Sequence, residues 1–272
     1  MEGYFYKTSS LLHRLNPLTK VVVTAPLLLF LALTTDPYTP AAFILLFSVT
    51  SVVLGRIPLL RYLKTVAPLL LLVTGFLIFH PLVVDPARVA GTPVAFEIGS
   101  VIVYWGGIVF GLATALRILS LILGTLVFVL TTDSTDFIRA LVQQWRLPYR
   151  IGYSAMAAYR FMPMLQSEMA VIKAAHKVRG ISDRGGLKAQ YDRARRYAVP
   201  LLATAIRKAE RTALAMDSRA FGAFDDRTYY RRLQFHTRDW IFIAAFWLVS
   251  VVILVILKQA GLLGALVWLQ QF

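Results

Sequence analysis

The chain contains no cysteine, so its own residues form no disulfide, no thiolate zinc site and no iron–sulfur cluster. Acidic residues are few: 14 Asp and Glu stand against 29 Lys and Arg in 272 residues. The pattern G-x-x-x-x-G-K-[ST] is missing, and nucleotide binding through such a loop is not expected. His13, His80, His176 and His236 are scattered over four segments, with no H-E-x-x-H pair to hold a metal. No G-x-S-x-G nucleophile elbow occurs. Asp85 and Glu97 fall in one expected loop, and the apolar runs hold no paired carboxylates. No catalytic and no metal-ligating residue is therefore nominated, and no cofactor is expected on this chain. Tyr191, Tyr197, Tyr229 and Tyr230 are interleaved with basic residues, but no recognition motif accompanies them, so nucleic acid is not expected as a partner.

What the chain has in excess is apolar surface. Hydrophobic residues make up 58%, against roughly 45–50% in an ordinary soluble domain. One core of this size cannot bury that excess, and the lipid bilayer is the second apolar solvent it calls for. A spanning helix needs roughly 20 mostly apolar residues. Runs of this kind occupy residues 18–34, 40–54, 65–82, 105–130 and 240–257. The start of the chain does not read as a cleaved signal, because charges continue to Lys20 and Pro26 interrupts the apolar run after it. Residues 83–104 hold Pro86, Gly91, Pro93 and Gly99 and read as an outer loop, with short extended pieces at 94–98 and 101–104 around a turn. The fold class expected is an all-α integral membrane protein with about five transmembrane helices plus two long amphipathic helices. The expected organisation is a transmembrane bundle over 1–130, a polar helical section over 131–238, and a last span with a short apolar tail over 239–272.

Charge sets the orientation. Residues 131–238 hold 20 of the 29 Lys and Arg with nine acids, a net +11. Lys7, Arg14 and Lys20 precede the first span, and Arg56, Arg61 and Lys64 lie between the second and third. The loop at 35–39 has no Lys or Arg, and the loop after the third span has only Arg88. Lys and Arg accumulate on the cytoplasmic side. The expectation is a multi-pass protein of the cytoplasmic membrane with its N-terminus and residues 131–238 cytoplasmic. The alternation also requires 105–130 to be one long helix, since a break at Arg117 would put the +11 section outside. An Arg deep in a span is costly and marks a role. Arg117 is expected to serve as an intramembrane structural residue.

Within 131–238, breaks fall at Pro148, at 180–186 and at Gly222, and Pro163 and Pro200 are expected to bend the two long helices or mark joints. Leu202, Ile206, Ala209, Ala213 and Met216 share one helix face, and Arg207, Lys208 and Arg211 another. Each long helix ends on a similar sequence: Val178-Arg179-Gly180 in the first, Ser218-Arg219-Ala220 with Gly222 close behind in the second. A glycine cap with a basic last turn stabilises any helix. Two such ends, 40 residues apart, also suit acidic grooves on a partner, because guanidinium forks to carboxylates.

Several stretches together resemble a known family. Ser10-Leu11-Leu12-His13-Arg14-Leu15-Asn16-Pro17-Leu18-Thr19-Lys20 is similar to its S-x-L-H-x-L-[DN]-P-x-T-K start. Leu130-Thr131-Thr132 followed by Asp136-Phe137-Ile138-Arg139-Ala140-Leu141 is similar to its L-T-T…L-x-x-A-L stretch. Leu147-Pro148-Tyr149, Tyr159-Arg160-Phe161-Met162-Pro163 and the two arginine ends resemble its remaining signatures, over about residues 9–225. The family is the transmembrane T component of energy-coupling-factor (ECF) transporters, the EcfT/CbiQ-like proteins. The resemblance implies a scaffold and coupling subunit of an ABC-type importer. Two cytoplasmic P-loop ATPases, which carry the ATP and Mg, would grip Val178, Arg179, Gly180 and Ser218, Arg219, Ala220 at the ends of two coupling helices. A small membrane S component would bind the substrate, a vitamin or a transition-metal ion. The chain departs from the family's Ala-Arg-Gly pattern, with Val178 and Ser218 in the first place and Ala220 in the last. The alternatives are an ordinary ABC permease binding substrate in its own spans and a membrane-bound enzyme acting on lipid.

Overall fold

The computed structural model describes residues 10–83, 91–98, 101–180, 186–224 and 228–264. Arg88 and the parts of the outer loop at 84–90 and 99–100, the centre of the break at 180–186, and the tail beyond 264 lie outside the described residues. The chain forms two compact units: one from residues up to Phe137 together with those from Gln234 on, the other over Ile138–Leu233.

The first unit begins with the single turn α1 (Leu11–Arg14), capped by the Ser10 hydroxyl, which accepts from His13 N. Helix α2 (Pro17–Leu33) starts on Asn16, whose Oδ1 accepts from Leu18 N at 3.0 Å. Pro17 stands at N1, where its missing N–H leaves nothing unpaired. Helix α3 (Tyr38–Val49) runs on into a π-helical turn, Thr50–Leu54. After α4 (Leu59–Val83), strands β1 (Val94–Ile98) and β2 (Val101–Tyr104) form an antiparallel hairpin, so the expected extended pieces do pair. Helix α5 (Trp105–Thr131) is a single unbroken helix of 27 residues, as the charge argument requires. At 1.5 Å per residue it is about 40 Å long. Helix α6 (Ser134–Gln144) begins in this unit and runs into the second, and α9 (Thr237–Gln259) completes the first unit late in the chain.

All five expected spans are thus helices. Leu59–Val83, Trp105–Thr131 and Thr237–Gln259 are long and apolar enough to cross a membrane, while Pro17–Leu33 and Tyr38–Leu54 are apolar but shorter. Two begin three or more residues earlier than the apolar runs indicate: α4 at Leu59 rather than residue 65, and α9 at Thr237 rather than residue 240. Their first two turns carry Arg61, Lys64, Arg238 and Asp239, which an apolar window discards although the backbone there is already helical.

Helix α5 lies at the centre, packed against α2, α3 and α4. A Cβ on Gly124 would stand 2.6 Å from Leu28 Cδ2, and one on Gly111 3.2 Å from the Pro81 ring. Small residues let helices approach closely where lipid removes the hydrophobic drive for association. Leu27, Leu31, Phe43, Phe47, Leu123 and Val127 fill the interior, and Phe246 of α9 stacks on Phe47 at 6.5 Å. Leu29, Leu45, Leu71, Phe79 and Leu248 point outward and give the unit an apolar exterior. The chain is an all-α membrane protein.

The second unit is built on two long helices packed on each other, α7 (Tyr149–Val178) and α8 (Leu187–Asp217). Neither Pro163 nor Pro200 divides its helix. Lys208 of α8 meets Glu168 of α7 at 2.6 Å. The apolar stripe of α8 is not what packs there: Leu202 and Ile206 are exposed. Helical periodicity reveals that a face exists, not what covers it.

Candidate functional site

The two arginine ends share one backbone geometry. Helix α7 ends at Val178 with Arg179 as its cap, and Gly180 follows in the left-handed region at φ +71°. Gly180 N donates to Lys177 O at 3.1 Å. Helix α8 ends at Asp217, Ser218 caps it, and Ala220 directly after Arg219 takes φ +55°. Ala220 N donates to Asp217 O at 2.9 Å and Phe221 N to Met216 O at 3.0 Å, the paired bonds of a Schellman ending. Ala220 therefore makes the turn that Gly180 makes at the first end, at a steric cost of roughly 1–2 kcal/mol for a Cβ in that region. Val178, Arg179, Gly180, Ser218, Arg219 and Ala220 are all exposed. Among the described residues, no hydrogen bond or ion pair occupies the Arg179 or Arg219 guanidinium.

Their surroundings differ. The start of α7 grips the second end. Tyr149 Oη donates to Phe224 O at 2.6 Å, and the Arg150 guanidinium donates to Gly222 O. The rings of Tyr149 and Tyr153 meet Phe221 edge-on at 5.6 and 6.3 Å. A half-open cavity of about 410 Å³ lies beside Arg219, walled by Tyr153, Met216, Phe221 and Phe224. At the first end the His176 ring meets Tyr197 at 5.4 Å, and Val178 beyond it is 89% exposed.

A polar cluster in the first unit escaped the reading of the sequence as a site. Lys20 is buried and donates from Nζ to Thr131 O at 2.6 Å and Thr132 Oγ1 at 3.1 Å. Asp239 is fully buried, and its Oδ1 accepts from Asn16 N at 2.8 Å and Thr19 Oγ1 at 3.3 Å. Its Oδ2 accepts from His236 N at 2.8 Å, capping α9. The family-like stretches Asn16-Pro17-Leu18-Thr19-Lys20 and Leu130-Thr131-Thr132 are thereby joined. The available signal was a lysine and an aspartate at the edges of apolar runs, each needing a buried partner.

Among the described residues, Nε and Nη2 of Arg117 in α5 are buried without a hydrogen bond, as are Asp36 Oδ1 and Thr39 Oγ1. Arg117 belongs to neither the arginine ends nor the Lys20 cluster.

Fold and site together define a class: a helical membrane protein carrying a basic pair of long helices that present arginine at their ends. The family model CbiQ, described as cobalt transport protein, matches residues 8–230. The energy-coupling factor transporter transmembrane protein EcfT of Bacillus subtilis (strain 168) is 31% identical over 247 residues, covering 87% of this chain and 90% of the relative. EcfT of Limosilactobacillus fermentum is 28% identical over 265 residues, 93% of this chain and 96% of the relative. EcfT of Staphylococcus aureus is 27% identical over 269 residues, with 95% and 97% covered. The chain belongs to the EcfT/CbiQ-like family, the transmembrane T components of ECF transporters.

Proposed function

We propose that the chain couples ATP hydrolysis in partner subunits to substrate release by an S component. Two cytoplasmic P-loop ATPases dock on the ends of α7 and α8, with Arg179 and Arg219 entering acidic grooves. The ATP and Mg stay in those partners, and this chain binds neither. Closure of the ATPase pair displaces the two ends. The long helices carry that motion to a small membrane S component, which holds a vitamin or a transition-metal ion. Residues 131–238 and the N-terminus face the cytoplasm of the cytoplasmic membrane, in keeping with the +11 of that section.

The observation that carries the reading is the repeated ending. Two exposed arginines, each followed by a left-handed residue, close two helices that pack on each other. One such end is ordinary capping, whereas two guanidinium groups on one small unit, both unpaired among the described residues, suit paired acidic receptors.

The test is Arg179→Glu combined with Arg219→Glu in the full chain, produced in its host and purified in mild detergent. The variant is expected to insert and fold as the parent does and to recover neither ATPase. Normal recovery and transport by the double variant would remove the assigned role of these helices.

A further inference from the structure

The chain passes between its two units twice, leaving the first after Phe137 and returning at Gln234. Both passages are tied to the same turn of α2. On the way out, the α5 end at Thr131–Thr132 is held by Lys20. On the way back, Asp239 receives Asn16 N and Thr19 Oγ1. Asn16, Thr19 and Lys20 thus hold the exit with one side chain and the return with two donors.

This is an expensive way to fasten two helices. A lysine that is 3% exposed and an aspartate that is 0% exposed must both be satisfied in the interior. Well-packed apolar residues of similar volume commonly serve stability as well or better. What hydrogen bonds add is direction. Thr131 O belongs to the last turn of α5, where carbonyls lack an intrahelical partner, and an ammonium is suited to such a carbonyl. Asp239 serves two helix starts at once, those of α2 and α9. The second unit repeats the device on its own side of the passages: Gln143 donates to Arg231 O and accepts from Leu233 N, and Gln144 donates to Leu233 O. The outgoing and returning chain are therefore held within each unit by polar side chains.

We propose that Lys20 and Asp239 are positioning residues that lock both passages to α2, so that force arriving from the arginine ends reaches α2, α5 and α9 as one body. The inference rests on the coupling role given above, and it deepens that role by naming where the motion enters the bundle.

The test starts without partners. Amide hydrogen exchange is measured on the full chain in lipid nanodiscs for the parent, Lys20→Met, Lys20→Arg and Thr132→Val. Lys20→Met is expected to speed exchange over 131–137 and also over 234–240, although Asp239 is intact, with the centre of α5 unchanged. Lys20→Arg restores protection, and Thr132→Val shows a smaller loss at the same two stretches. A change confined to 131–137, or no change, overturns the shared lock. If Lys20→Met loses protection throughout, the milder Thr132→Val decides by the same criterion.

The second measurement uses the absence of cysteine. Leu60→Cys and Met162→Cys, both exposed, carry spin labels in the complex with its ATPases. The parent is expected to show a shift in label distance on adding ATP. Lys20→Met is expected to lose that shift while ATP hydrolysis persists. An unchanged shift, or loss of shift and ATPase recovery together, overturns the proposal. A parent chain that recovers no ATPase defeats the coupling role instead, and the exchange experiment still decides the lock.

Discussion

The two arginine ends repeat one backbone design in two settings. Arg179 sits at the tip of α7 with little beside it among the described residues. Arg219 sits on a turn fastened to the start of α7 by Tyr149, Arg150 and Tyr153. A fastened end has less freedom to lose on docking, and ordering a mobile side chain or loop offsets part of any binding energy. The lesson is that equal sequence motifs need not be equal contacts. The fastened end should dominate affinity.

The largest expected effect separates the ends directly. Arg219→Ala should weaken ATPase binding on the order of a hundredfold, as for a central anchor of an interface. Arg179→Ala should weaken it about tenfold, as for a contact outside that anchor. Titration of each single variant with purified ATPases, read by interferometry in nanodiscs, gives both numbers. Equal losses would mean that the fastening of Arg219 is irrelevant to docking.

A smaller effect comes from making the second end resemble the first. Tyr149→Phe with Arg150→Met removes the donors to Phe224 O and Gly222 O while keeping ring and stem. Each bond is worth about 0.5–3 kcal/mol, more where the donor is charged. Exchange over 217–224 should accelerate with that over 175–180 unchanged, and ATPase affinity should fall on the order of tenfold with Arg219 untouched. Faster exchange without weaker binding would show that rigidity is not what the partner uses.

Much of this protein is legible from its residues, and the boundary has a physical cause. Spans, the hairpin at 94–104 and the continuity of α5 follow from local hydrophobicity, alternation and charge bookkeeping along the chain. The exposed charges at Arg179 and Arg219 follow in the same way, because a helix end and its cap are local features. The fastening of the second end does not. It joins Tyr149 and Arg150 to carbonyls at Phe224 and Gly222, partners separated by two long helices, and nothing in either stretch announces the other. Lys20 and Asp239 are hidden for the same reason. Lys20 entered the orientation argument as a positive charge beside the first span, yet it is buried against the end of α5. Periodicity likewise reveals the apolar stripe at Leu202 and Ile206 without revealing that it is left uncovered.

The smallest expected effect tests whether the two ends are one design despite Gly180 and Ala220. Both residues lie in the left-handed region, at φ +71° and +55°. A Cβ there costs roughly 1–2 kcal/mol, while glycine costs about 0.4–1 kcal/mol more than alanine in chain entropy on folding. The difference of the mid-range values leaves glycine ahead by roughly 0.8 kcal/mol at either position. Among the described residues nothing stands within 4 Å of a Cβ built at Gly180, so packing by them should not disturb this balance. Gly180→Ala should therefore destabilise and Ala220→Gly should stabilise by similar amounts, read by denaturant unfolding of the full chain in detergent. Neither change should move ATPase affinity by more than a few-fold, since both arginines and both turns persist. Opposite signs of similar size would make the ends equivalent in backbone, leaving fastening as their functional difference. If Ala220→Gly instead destabilises, the left-handed turn at the second end is held by its tertiary contacts, and the alanine is part of that fastening.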